Sequence, residues 1–203
     1  MGIKIVTICG AVREGNYTAK ALALVHEEFR KSAEVELHPV DLTAYRLPFP
    51  GEDDPDDSAE QFRQTVRAAT GLVLATPEYH GSFSSVLKLA IESLGFPSTL
   101  AEKPIALLGV AAGEIGAIKS LEHLRSVCAH VGSIVLPALV SVPRVQSVFD
   151  EQGHCRDPRM EKRIRGLASN LLDYIRGSVC PRIALEAMIR DREERPVMKS
   201  DRT

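Results

Sequence analysis

Gly71-Leu72-Val73-Leu74-Ala75-Thr76-Pro77-Glu78-Tyr79-His80-Gly81-Ser82 joins an apolar run to a loop of chemically varied side chains. The first five residues carry neither charge nor alternation, as expected of a strand covered on both faces. A helical pattern opens near residue 83, so the segment reads as strand, loop, helix. In open α/β sheets such a loop lies at the carboxyl end of a strand, where ligands bind. Pro77 restricts it, Gly81 permits close backbone approach, and Glu78, Tyr79 and His80 supply a carboxylate, a phenol ring and an imidazole. The set suits a flat heteroaromatic ligand.

Working outward, apolar runs alternate with helical patterns, the mark of parallel βαβ units. Strands are predicted over 4–9, 34–40, 71–75, 104–110 and 133–140. The second alternates polar and apolar residues and belongs at an edge. Helices are predicted over 18–31, 58–70, 84–94, 116–131 and 158–176, the last with Ile164, Leu167, Ala168, Leu171, Leu172 and Ile175 at helical spacing. Five strands with five helices fit a flavodoxin-like doubly wound α/β fold, a parallel sheet of order 2-1-3-4-5 with helices on both faces. Residues 1–177 are expected to form one domain. Residues 178–203 are expected to be a tail with a short amphipathic stretch at 182–190, either a docking helix or partly disordered. The acids between 47 and 57 read as a solvated loop, not a metal site.

The first strand runs into Gly10-Ala11-Val12-Arg13-Glu14-Gly15-Asn16-Tyr17-Thr18. A glycine-containing loop that opens a helix offers free N–H groups and the positive helix end to an anion. Arg13 adds a fork-shaped donor suited to phosphate, and Asn16 and Thr18 add neutral donors. The spacing matches neither a P-loop nor the G-x-G-x-x-G dinucleotide fingerprint. Asp41, at the end of the second strand, then reads as a turn cap, not a ribose ligand. Together the first and third loops flank the switch point of the sheet, where a mononucleotide fits; the third loop reads as a flavin-ring site.

Composition excludes several classes. The chain has 203 residues and a formal net charge of −2, which leaves no electrostatic footprint for nucleic acid or an acidic membrane. No apolar run approaches a membrane span, and the amino terminus enters a strand pattern without signal-peptide architecture. Cys9, Cys128, Cys155 and Cys180 show no metal or redox spacing. They read as reduced thiols in a cytoplasmic protein, Cys9 and Cys128 as small core residues.

These motifs resemble the NADPH-dependent FMN reductase family, which includes quinone, azo-dye and chromate reductases. The family's first loop, G-S-x-R-x-x-S-x-[ST or N], is matched by Gly10, Arg13 and Thr18, with Ala11 and Asn16 in the places of its two serines. Its P-E-Y-N-G loop is matched by Pro77, Glu78, Tyr79 and Gly81, with His80 for asparagine. Residues 86–92, the run Gly109 to Gly116 and Leu136-Pro137 extend the likeness, which covers about residues 3–140.

The resemblance implies FMN as cofactor and NADPH or NADH as co-substrate. It places the phosphate at Ala11, Arg13, Asn16, Tyr17 and Thr18, the missing hydroxyl at Ala11 weakening that hold. It places the ring along Pro77, Glu78, Tyr79, His80 and Gly81, with Gly113 closing the far side. Hydride would pass through the flavin in ping-pong fashion to a small acceptor: a quinone, azo compound, metal oxyanion or free flavin. No catalytic acid–base residue and no metal is expected; His80 is either a donor at the flavin edge or a structural stand-in for asparagine. A homodimer or homotetramer is implied, with Phe83, Val86, Leu87 and Phe96 as either interface or core. The alternatives are a flavodoxin-like electron carrier without nicotinamide reactivity and a flavin-free member of the fold.

Overall fold

The computed structural model describes residues 2–194, with side-chain surroundings for residues 2–190. Strand β1 (Ile3–Cys9) pairs in parallel with β2 (Val35–Val40) on one side and β3 (Gly71–Tyr79) on the other. Strand β5 (Pro104–Val110) pairs with β3, Leu72 lying opposite Ile105 and Thr76 opposite Gly109. The order β2-β1-β3-β5 is completed by a last strand in two pieces, β6 (Ile134–Val135) and β7 (Val140–Val142), both parallel to β5. This is the flavodoxin-like order expected.

The last strand departs from the continuous run expected over 133–140. Leu136 still donates to the Ile105 carbonyl at 2.9 Å, but Pro137 has no N–H for the ladder. The chain turns out there, Leu139 donating back to Pro137, and rejoins β5 at Val140.

Helices cover both faces. On one lie α1 (Tyr17–Phe29) and α6 (Pro158–Tyr174), packed on Ile3, Ile5, Val73, Ala75 and Leu108. On the other lie α2 (Ser58–Arg67), α3 (Ser85–Glu92) and α4 (Ile118–His130), packed on Val6, Ile8, Leu72, Leu74 and Leu107. Alternate residues of one strand thus enter different cores, which is why β3 and β5 are apolar throughout. Strand β2, paired among the described residues with β1 alone, lies at the edge as its mixed pattern predicts. Asp41 caps a short turn, accepting from the Thr43 N–H at 2.9 Å, and Asp54 caps α2 by accepting from Ser58 and Ala59, 3.0 Å each.

Beyond α6 the helix widens for one turn over Ile175–Val179 and continues as α7 (Cys180–Glu194). The remainder of the expected tail, residues 195–203, lies outside the described residues. Cys128 is buried, Cys9, Cys155 and Cys180 are half-buried, and all are unpaired. Among the described residues no helix is long and apolar enough to cross a membrane.

Candidate active site

The first loop is built around Asn16. Its side-chain oxygen caps α1, accepting from the Ala19 N–H at 2.8 Å, while its amide nitrogen donates to the Arg13 carbonyl at 2.6 Å and lies 3.4 Å from that of Ala11. Beneath it the Cys9 thiol faces the Ala11 carbonyl at 3.5 Å; burial pushes its pKa up, so it serves as an S–H donor. Asn16 is therefore committed to holding the loop rather than free to meet a phosphate. What it holds open is backbone: among the described residues, the N–H groups of 11–16 donate to no protein acceptor. Arg13, exposed beside them, forms no ion pair in that set. Unused N–H groups at a helix start with a guanidinium alongside match the needs of a monoester dianion.

The loop can lie this close to the sheet because residue 10 is glycine. Its N–H donates to the Ala75 carbonyl at 2.7 Å. A Cβ there would stand 2.8 Å from the Ser84 hydroxyl oxygen and 3.0 Å from the Ala75 carbonyl oxygen and the Leu87 Cβ. Any larger residue would push the first loop off the third.

The third loop is a hairpin rather than an open loop. Strand β3 runs on to Tyr79, which pairs with Ser82 of the antiparallel β4 (Ser82–Phe83). The two residues between, His80 (φ 49°) and Gly81 (φ 74°), both have positive φ, the requirement of the tight turn that favours Asn-Gly. Asparagine and histidine are among the non-glycine residues enriched in that region. The Asn-to-His replacement seen in the sequence thus keeps a backbone shape. Thr76 locks the hairpin base, accepting from the Ser84 N–H at 3.1 Å and donating to the Pro77 carbonyl at 2.8 Å.

Glu78, mid-hairpin, turns its carboxylate to the start of α4 and accepts from the Ser120 N–H at 3.1 Å. It caps a helix that has no side-chain cap of its own. Two adjoining hollows share Glu78, Ala111 and Ala112. The first, about 480 Å³, takes in Ala11, Arg13, Asn16, Tyr17, Thr18, Pro77 and Tyr79. The second, about 620 Å³, takes in His80, Gly81 and Gly113. Every candidate residue named from the sequence therefore lines one groove across the carboxyl ends of β1, β3 and β5.

A family model described as NADPH-dependent FMN reductase matches residues 3–147. The chain belongs to this family. Among curated relatives, the NAD(P)H-dependent FMN reductase of Pseudomonas aeruginosa is 32% identical over 184 residues, covering 86% of this chain and 96% of that one. An NADPH azoreductase of Bacillus sp. is 30% identical over 175 residues, covering 85% and 94%. Among solved structures, the flavoenzyme NAD(P)H:(acceptor) oxidoreductase FerB of Paracoccus denitrificans superimposes with a TM-score of 0.72 at 20% identity, covering 86% of this chain and 98% of FerB.

This FMN reductase family member also brings to the groove residues that no motif marked. Val145 and Gln146 open the one-turn helix α5 (Val145–Val148) and line the phosphate-side hollow. They are held there by hydrogen bonds between distant segments, Val145 to the Ala111 carbonyl and Arg144 to the Gly113 carbonyl, 3.0 Å each. Arg144 also pairs with Glu114. No spacing in the sequence signals this clasp. Of the residues weighed as interface or core, Leu87 is wholly buried, whereas Phe96 is 93% exposed beside a hollow of about 650 Å³ between α3 and α4.

Proposed function

We propose that the chain is an FMN-dependent oxidoreductase that takes NADPH or NADH as donor and a small molecule as acceptor. A quinone, azo compound, metal oxyanion or free flavin suits the acceptor role. The carrying observation is the shared groove, which joins unused N–H groups beside Arg13 to the β3–β4 hairpin. Bound FMN supplies the redox chemistry. The chain's residues do the rest. The N–H groups of 11–16, with Arg13, hold the phosphate; Pro77 to Gly81 support one side of the ring; residues 111–113 close the other.

Two polar side chains of the groove are engaged in the fold: Glu78 caps α4, and Asn16 caps α1. Function here rests on positioning two substrates in turn against one surface, so steady-state kinetics follow parallel double-reciprocal lines. The exposed Phe96 and the hollow beside it support a second copy of the chain meeting this one there, as a homodimer or a larger homo-oligomer.

The visible spectrum of the purified protein, loaded with FMN and then given NADPH without oxygen, tests the reading. Flavin bands that bleach rapidly are expected. Bound flavin that fails to bleach would leave an electron carrier instead, and a protein that takes up no FMN would overturn the assignment.

A further inference from the structure

The β3–β4 hairpin, whose tip lines the ring-side hollow, is flanked by side chains of α4 that the function above leaves unused. Lys119, in the first turn of α4, lays its stem along the β3–β4 hairpin, its Cδ standing 3.6 Å from where a Cβ on Gly81 would be. One turn further on, His123 Nδ1 lies 3.2 Å from the Ser82 hydroxyl oxygen. His80, at the hairpin tip, lines the hollow itself. These groups follow one edge, and each can turn an N–H toward an anion.

The neighbouring acids are engaged elsewhere. Glu78 accepts from the Ser120 N–H, and Glu114 pairs with Arg144. Glu122 follows on the same helix but forms no ion pair with Lys119 among the described residues. The other edge is apolar: Ile115 lines the hollow at 78% exposure, and Tyr79 lines its neighbour at 45%. Large exposed apolar side chains at the mouth of a hollow fit an aromatic ligand.

We propose that this rim selects one of the two substrates, an aromatic ligand bearing an anionic group, by turning the anion toward Lys119 and the two histidines. The inference rests on the function proposed above and specifies its substrate class. Charge complementarity at a cleft edge speeds encounter and sets orientation. Two sources share this chemistry: the phosphates of the nicotinamide dinucleotide, and an acceptor such as an arylsulfonate quinone.

Stopped-flow traces of the FMN-loaded protein separate them. One arm follows flavin bleaching by NADH; the other follows reoxidation by naphthoquinone and by its sulfonate. The variants are Lys119→Glu, Lys119→Gln and, as a control with the same charge change at the far end of α1, Lys31→Glu. An exposed charge contact is worth up to about fivefold in rate or affinity. A fall of about that size in Lys119→Glu, smaller in Lys119→Gln, is expected either in the bleaching constant or in the ratio of sulfonated to parent quinone. The first result assigns the rim to the dinucleotide and the second to the acceptor. Unchanged arms on flavin-loaded Lys119 variants, or an equal fall in Lys31→Glu, would overturn the rim alone. A chain that binds no FMN would remove the underlying function, and the rim with it.

Discussion

The carboxylate of Glu78 accepts the backbone N–H of Ser120 at 3.1 Å, tying the tip of β3 to the first turn of α4. Residues 42 positions apart thereby share one rigid corner of the groove. Ala117, at the N-cap position of helix α4, offers no side-chain cap, so the tie supplies what the local sequence omits.

Replacing Glu78 by alanine removes that cap and is expected to cost about 1 kcal/mol, a fall of roughly 3 °C in Tm for a chain of this size. Glu78→Gln keeps an acceptor and should retain most of the stability. Thermal melts of the two variants, with FMN titrations alongside, check this; equal losses would show that the contact is not a cap.

At the hairpin tip the backbone shape, rather than the imidazole, is the feature to test. His80→Asn should leave both stability and FMN affinity near the parent values, because asparagine tolerates positive φ. His80→Val forces a β-branched residue into the left-handed region and is expected to cost about 1–2 kcal/mol. An asparagine variant as damaged as the valine one would point to the ring instead.

At the first loop, Arg13→Ala should weaken FMN binding by about 10- to 100-fold, the loss of one charge-assisted hydrogen bond. Ala11→Ser adds a hydroxyl where family loops carry one and should tighten it by up to about tenfold. Fluorescence quenching of FMN on binding gives both constants. Unchanged values in both variants would place the phosphate elsewhere.

His26 predicts how stability varies with acid. Its Nε2 lies 2.8 Å from the Thr7 hydroxyl oxygen, and burial, with Arg30 nearby, lowers its pKa from 6.5 to about 4. The folded state therefore resists a proton that the unfolded chain accepts below pH 6.5. The resulting stability is fully present above pH 6.5 and is lost progressively as pH falls toward 4. Urea midpoints across that interval should fall more steeply for the parent than for His26→Gln. Parallel slopes would refute it.

Phe96, 93% exposed, tests self-association. Phe96→Glu is expected to shift the mass measured by light scattering toward the monomer while leaving the flavin spectrum unchanged. A parent chain that is already monomeric would exclude an interface there.

Much of the architecture was legible because each layer leaves a periodic trace. The continuous apolar runs of β3 and β5 announce burial on both faces, and the alternation of β2 announces an edge. The interruption at Pro137 was legible in principle, since a missing N–H is a property of the residue, yet apolar neighbours on both sides concealed it. The hairpin at His80-Gly81 was concealed differently. Its turn usually advertises itself as Asn-Gly, and histidine satisfies the same backbone demand without the familiar signature.

Taken alone, the sequence determined the doubly wound order and the two loops that meet across it, since βαβ handedness and strand-end geometry bring those loops together. It did not determine what the loop side chains do there. Asn16 turning inward to cap α1, Glu78 reaching Ser120, and Val145 closing the groove through Ala111 are decided by tertiary structure. Hydrogen bonds between segments far apart in the chain depend on where folded backbones come to rest, and no local spacing encodes that.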